Sequence, residues 1–464
     1  MAASQSPGSL NPHNIEKSLT AVRTEARRSL AFLAPSAYPL GGVADWLDYV
    51  MVGLTDCGWK CQLLLVKGPG HDAERYLERH PWPDVQLISN RTGSREGRIR
   101  ALLSAIDRSC ADVVISVNLV DAYEAIRRKR ARDGGAPPKV VMALHGLELN
   151  LMEDIRREID VLDGVIATNR LSVAIASKAI AADERVYYAP YGVPVSSSLS
   201  EFQSPGRQLK LLYAGRIEQE QKRVLDLPKI VCALRSHGID ASLSIAGAGP
   251  LVKDLQEAFD RLNIADSVNW LGDLNSKALA DAYRSHDALM ITSEWETGPI
   301  VAWEAMSCGL PVVSSRYIGC GLENALIDGV TALLFDVGDI DGAAASILRL
   351  KNSNVRSALR TTGLALVRER YSREASVAAW HDAISEVVSR AAMDGGAIRL
   401  STPSGRLDRW LGVKRAEDIR RLLGIRYVHD SPGSAWPHTA STSAGQAEFL
   451  QNARQIDSNL GTNI

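Results

Sequence analysis

No apolar run in the 464-residue sequence is long enough to cross a bilayer, since a spanning helix needs roughly 18–20 such residues. The N-terminal stretch MAASQSPGSLNPHNIEKSLT lacks the basic start and apolar core of a secretory signal, so a cytoplasmic chain is expected. Cysteine is sparse. The six residues, at 57, 61, 110, 232, 308 and 320, form no CxxC pair and no dense framework, and are expected to be reduced thiols. An excess of charge of either sign is also missing. With 53 basic and 54 acidic residues the formal charge is −1, which gives no ground for nucleic acid as a partner. No His/Cys cluster suggests a metal. The one Asp-x-Asp, Asp339-Ile340-Asp341, directly precedes a helical pattern, where Asp is a preferred N-cap. No metal and no cofactor are therefore expected.

What is present is a globular composition, 45% hydrophobic and 23% charged, at a length that favours two or three domains. The runs SLAFLAP, KCQLLLVKG, DVQLIS, ADVVISVN, KVVMALHG, DGVIATN and RVYYAP read as strands. Helical patterns separate them near 43–56, 97–109, 121–132 and 170–181. The strand runs are continuously apolar rather than alternating, which marks a parallel sheet covered on both faces. After the Pro/Ser/Gly-rich PYGVPVSSSLSEFQSPGRQ the series restarts with LKLLYAGR, SLSIAGAG, SVNWLGD, ALMITS, PVVSS and TALLF. Helices are predicted near 222–237, 251–262, 276–286, 299–308 and 340–350.

The fold class is thus α/β, with two Rossmann-like doubly wound parallel-sheet domains facing a cleft. The expected organisation is an extension over 1–27, a first domain over 28–195, a linker over 196–208 and a second domain over 209–370. An amphipathic helix follows within 371–394, then a polar tail over 395–464. Short helices are conceivable at GRLDRWLG and AEDIRRLLG, and 430–464 reads as largely disordered.

Chemistry-bearing residues gather at strand ends, where such sheets bind ligands. Gly41-Gly42 precedes a helix and suits either a phosphate approached by backbone N–H groups or a tight turn. In YAGRIEQEQKRVLDL, Arg216 follows a strand and Lys222 opens the next helix; both could reach a pyrophosphate, or Lys222 belongs to a solvated charge cluster. The GAGP turn at 247–250 is more often structural than ligand-binding. His145, in ALHG, is either a satisfied turn residue or a cleft ligand.

The richest stretch is SEWETGPIVAWEAMSCGLPVVSS, 293–315. Glu296 sits at the mouth of an apolar helix that starts near Pro299, and Glu304 lies eight residues further on, ~12 Å at helical rise. Glycosidase carboxylates flank one bond at about 5–9.5 Å; the longer spacing suits two ends of one elongated ligand. A buried ion pair with a neighbouring Arg or Lys is the competing reading for Glu304.

These motifs resemble the retaining glycosyltransferases of family 4, which have the GT-B fold. The resemblance rests on Gly215-Arg216 with Lys222, the GAGP turn, Glu296-x7-Glu304, EAMSCGLPVVSS and DGVTALLFDVGD, and more loosely on Gly41-Gly42, ALHG and PYGV. It covers about residues 30–392. It implies a metal-independent hexosyltransferase-type enzyme that moves a sugar from a nucleotide-sugar donor to a glycan, lipid-linked or small-molecule acceptor, as in polysaccharide biosynthesis. It places Glu304 at the ribose, Glu296 at the donor sugar, Arg216 and Lys222 at the diphosphate, the Gly298-Pro299-Ile300 turn as a source of backbone N–H groups, and His145 across the cleft. It also implies that helix 371–392 crosses back to the first domain.

The sequence departs from the family in places. The Arg-to-Lys gap is one residue longer than usual, which makes Arg223 a rival to Lys222. Thr297 stands where a glycine is frequent, and RYIGCGLEN is slightly long, which puts Glu323 in question. A sugar-nucleotide epimerase, a phosphorylase and a non-catalytic nucleotide-sugar-binding protein are the rival readings. The basic run Arg127, Arg128, Lys129, Arg130 and Arg132 is either a solvated helix end, the commoner case, or a peripheral membrane contact.

Overall fold

The computed structural model describes residues 28–36, 42–133, 137–180, 183–195, 208–403, 405–428, 435–440 and 444–461. Gly41, the extension over 1–27 and nearly all of the 196–208 linker lie outside them.

The first sheet contains β1 (Ser29–Ala34), β2 (Lys60–Lys67), β3 (Val85–Ser89), β4 (Val113–Val117), β5 (Lys139–Leu144), β6 (Gly164–Ala167) and β7 (Val186–Tyr188), in the order β3-β2-β1-β4-β5-β6-β7. The second contains β8 (Leu209–Ala214), β9 (Ala241–Ala246), β10 (Val268–Gly272), β11 (Ala288–Ile291), β12 (Val312–Ser315) and β13 (Leu333–Phe335), in the order β10-β9-β8-β11-β12-β13. Every pairing between these strands is parallel. The continuous apolar runs explain why. All residues of β4, β6 and β11 are buried, so both faces of each sheet need a layer of helices. The strand order reverses beside β1 and β4 in one sheet and beside β8 and β11 in the other. The loops that leave those strands are where such folds hold ligands.

The two domains are tied by the return of the chain. Val193 N–H donates to the Tyr371 carbonyl at 2.8 Å, and helix Arg373–Ser389 then buries Trp380, Ile384 and Val387 in the first domain's core. The join is tight at Gly192. A Cβ there would come 2.7 Å from both the Arg373 Cα and the Ser372 carbonyl oxygen.

Three expectations are corrected. Helices Ala73–Arg79, Leu149–Glu158 and Ser353–Arg370 stand where none was assigned. In the region 395–464 the two short helices stand at GRLDRWLG and AEDIRRLLG, and the correction is to 430–464, which holds a further helix and a buried tryptophan. Helices Arg406–Leu411 and Val413–Leu423 pack on the first domain, where the buried Glu417 carboxylate accepts from Thr92 Oγ1 (2.7 Å) and Ser94 Oγ (2.6 Å). Trp436 is buried, its Nε1 donating to the Lys67 carbonyl. Helix Gln446–Gly461 runs between the domains. Gln446 Oε1 accepts from Leu149 N–H (2.8 Å), and Asp457 accepts from the N–H groups of Gly319 (2.8 Å), Gly321 (3.0 Å) and Leu322 (2.8 Å).

Third, the basic run at 127–132 is consumed internally. Arg127 is buried on Glu158 and Asp160, Arg128 holds Glu96 and Glu124, and Arg130 is buried on Asp163. Lys129 and Arg132 share Asp107 and Asp133. Charges neutralised in this way offer an anionic membrane little, so the proposed contact through these five residues is withdrawn.

Candidate active site

The turn after β8 carries the first group of site residues. Gly247 (φ +136°) explains its shape: a Cβ there would lie 2.0 Å from the Gly215 carbonyl oxygen. The GAGP turn therefore packs as a backbone support for Gly215-Arg216. Arg216 is exposed and donates to Gln221 Oε1 at 2.6 Å. Contrary to the expectation from the sequence, Lys222 does not open a helix. It lies in a turn that the Glu218 carboxylate clamps by accepting from the N–H groups of Gln221 (3.1 Å) and Lys222 (3.0 Å). Pro228 sets the start of the regular helix Leu227–Ser236 later. The Lys222 Nζ meets Glu296 Oε1 at 2.6 Å. Its rival Arg223 (φ +51°) turns away to Asp226 (2.9 Å) and Glu294 (3.3 Å).

Glu296 follows β11 and is buried. Its Oε1 also accepts from Ser293 Oγ at 2.6 Å. The turn then crosses to the first domain. Thr297, in the place where the family often has glycine, donates through Oγ1 to the His145 carbonyl (2.8 Å) and accepts through its own carbonyl from Thr168 Oγ1 (3.0 Å). Gly298 (φ +115°) lies against Tyr191, whose Cδ2 would be 3.1 Å from an added Cβ. Tyr191 in turn pairs its hydroxyl with His145 Nδ1 at 2.8 Å. His145 is buried, with Trp46 edge-on 4.4 Å away, and burial pushes it down to about 3, so the imidazole is neutral at physiological pH. Its Nε2 has no hydrogen-bond partner among the described residues.

Pro299 is the N-cap rather than the first helical residue, and helix Ile300–Ser307 carries Glu304 inward. Its first residue meets the other domain. A Cβ on Gly42 would come 2.2 Å from Ile300 Cδ1, so glycine at the start of helix Gly42–Asp56 lets the two helix ends touch. Beside this contact lies a cavity of about 250 Å³ whose lining includes Gly42, Asp45, Tyr283, Ile300, Glu304 and Arg373. Arg216, Lys222, Glu296 and His145 do not line it.

Glu304 accepts from the Tyr283 hydroxyl at 2.8 Å, and no Lys or Arg pairs with it among the described residues. The structural ion pair is therefore not its role. Burial pushes it up to about 7; the Tyr283 hydrogen bond and the charge of Arg373 oppose that rise, and Asp45 adds to it.

The sequence reading did not single out Asp45, Arg373 or Glu148. Glu148 is raised by burial and opposed by the charge of Arg216 across the cleft, and its Oε2 lacks a partner among the described residues. Its signal was a carboxylate two residues beyond ALHG. Glu323 is a structural hub, accepting from Arg170 N–H (2.9 Å) and from the hydroxyls of Tyr188 and Tyr371. Asp339 caps helix Ile340–Leu348 through Gly342 N–H at 2.9 Å, as an N-cap should. One group among the described residues, Asp45, Asp48 and His80, has three ligand atoms within 4.8 Å, with His80 Nδ1 on Asp48 at 2.6 Å.

The sequence profile described as "Glycosyl transferases group 1" matches residues 198–363. A D-inositol 3-phosphate glycosyltransferase of Arthrobacter sp. (strain FB24) is 38% identical over 136 residues, 28% of this chain and 32% of that protein. An N-acetyl-alpha-D-glucosaminyl L-malate synthase of Bacillus anthracis is 28% identical over 168 residues, 36% of this chain and 42% of that protein. The matches thus span well under half the length of these relatives. Among solved structures, a sucrose-phosphate synthase from Thermosynechococcus elongatus superposes with TM-score 0.64 at 17% identity, covering 78% of this chain and 100% of that one. Anabaena Alr3699/HepE in complex with UDP and glucose gives TM-score 0.62 at 18% identity, with 78% and 100% covered. The architecture is therefore GT-B, and residues 198–363, within and just before its second domain, match the glycosyl transferases group 1 profile.

Proposed function

We propose that this protein is a retaining glycosyltransferase that moves a sugar from a nucleotide-sugar donor to an acceptor hydroxyl. The observation that carries this reading is the Lys222–Glu296 pair at the end of β11, with Glu304 eight residues on at the cavity beyond. In this reading Glu304 accepts from ribose hydroxyls, and Glu296 from hydroxyls of the donor sugar. Lys222 and Arg216 are the cations near which a diphosphate would develop charge as it leaves. Neutral His145 can offer hydrogen bonding to the sugar without adding charge. In the transfer, the bond from the anomeric carbon to the diphosphate oxygen breaks, and a bond to the acceptor oxygen forms on the same face. The acceptor's proton leaves with the diphosphate.

The relatives fit a nucleotide donor. Anabaena HepE was solved with UDP-glucose, and the curated relatives carry names of glycosyl-transfer enzymes. No bound metal is needed in this scheme, because the two cations neutralise the leaving group. The test is incubation with UDP-, GDP- and ADP-sugars and a panel of hydroxyl acceptors, with anomeric configuration read by proton NMR, in EDTA and with magnesium or manganese restored. An α-linked product from an α-donor, formed in EDTA, is expected. A β-linked product, an epimerised nucleotide, or activity restored only by metal would overturn the corresponding part.

A further inference from the structure

The segment 405–428 is built inside out. Its inward groups are charged: Asp408, Glu417 and Arg420 are all buried, with Arg420 on Asp408 and over the Tyr427 ring. Its outward groups are apolar. Trp410 is 89% exposed, Leu422 84% and Val428 93%, with Leu411, Leu423 and Ile425 beside them in sequence. Of the fourteen large apolar side chains exposed among the described residues, eight lie between 398 and 428, so exposed apolar side chains concentrate in this one stretch of chain rather than scattering.

The segment is held firmly. Glu417 is anchored on Thr92 and Ser94, Arg100 reaches Asp418 and the Lys414 carbonyl, and Tyr427 N–H donates to the Thr92 carbonyl at 2.8 Å. The apolar side chains are thus presented outward by a pinned scaffold. Basic residues alternate with them along the segment. Arg409, Lys414, Arg415, Arg421 and Arg426 are exposed, while the one exposed acid of the segment, Asp418, is held by Arg100. Exposed aromatic and aliphatic side chains among unneutralised cations complement one kind of surface, an anionic lipid bilayer.

We propose that residues 405–428 dock the protein on anionic membranes, with Trp410, Leu422 and Val428 entering the interface and the arginines on the headgroups. This site differs from the neutralised run at 127–132, and it does not depend on the reaction in the cleft.

The test is co-sedimentation of the full chain with phosphatidylcholine vesicles, with and without phosphatidylglycerol. Binding is expected only to the anionic vesicles, weakening as salt rises. Trp410→Ser with Leu422→Ser should lower partition about tenfold or more, with the melting temperature unchanged because both side chains are exposed. Arg409→Glu with Arg421→Glu should abolish the preference for anionic lipid. Equal binding to both vesicles, no binding, or wild-type partition by either variant would overturn the proposal. So would a concentration-dependent dimer, seen by analytical ultracentrifugation, that Trp410→Ser dissolves, since the segment would then seat a second copy.

Discussion

A carboxyl group that meets only a tyrosine hydroxyl inside a cavity has an electrostatic consequence. Glu304 is raised to about 7 from an ordinary 4.5. The folded state therefore holds its proton more tightly than the unfolded chain. The associated stability is fully present below the unfolded value and is lost as pH rises through about 7. The span amounts to on the order of 3 kcal/mol. Glu304→Gln is expected to remove that slope, so that its melting temperature exceeds wild type at pH 8 but not at pH 4, while nucleotide binding is lost. Parallel pH profiles would show that Glu304 is not the group responsible. Lys222 and Glu296 call for a cycle instead. Lys222→Met strands a buried carboxylate and is expected to cost ~1–3 kcal/mol, and Lys222→Met with Glu296→Gln should regain most of it without restoring transfer. Strict additivity in urea melts would deny the coupling. At this scale Glu296 and Glu304 were legible because charge in an apolar run demands a reason. Asp45, Arg373 and Glu148 were not, since what brings them to the cleft is the approach of segments far apart in sequence.

Among elements, the strands were the most legible. All thirteen predicted runs are strands; the inner ones, such as β4, β6 and β11, are apolar throughout because both their faces are covered, whereas the edge strands β3 and β10 stay largely uncovered. The helices were less so. Ser353–Arg370 has arginines spread around much of its surface, and its buried face holds Arg356 and Gly363 beside Leu359, Leu364 and Val367, which blurs the apolar stripe. The helix predicted over 222–237 begins later, at Leu227, because Glu218 holds the N–H groups of Gln221 and Lys222 in a turn, a contact that no apolar periodicity reveals. Two glycines separate close packing of backbones from close packing of side chains. Gly192→Ala drives a Cβ into the backbone of residues 372–373, and is expected to cost ~1–3 kcal/mol or more. Gly42→Ala meets only the tip of Ile300. It should cost less and be largely relieved by Ile300→Val, which removes Cδ1. Equal losses of melting temperature for the two glycine variants would contradict this account.

Across the whole molecule, the stretch 430–464 departs furthest from the sequence reading, because its residues find partners that no local pattern reveals. Asp457 satisfies three N–H groups of the second domain from a helix whose first residue bonds the first domain. Asp457→Ala is expected to speed amide exchange at Gly319, Gly321 and Leu322 more than elsewhere in the second domain. Uniform exchange would mean that the cap carries no local stability. The same contacts bear on where the protein can be cut. A chain ended at Asp394, just past the crossing helix, would keep both sheets. It would also leave Thr92 and Ser94 without their carboxylate and the 319–322 turn uncapped, and would uncover apolar surface where Trp436 and Ala453 now pack. Such a fragment should be recovered in poorer yield, melt earlier and aggregate more readily than the full chain. The smallest piece that resembles the family is therefore not the smallest piece that folds well.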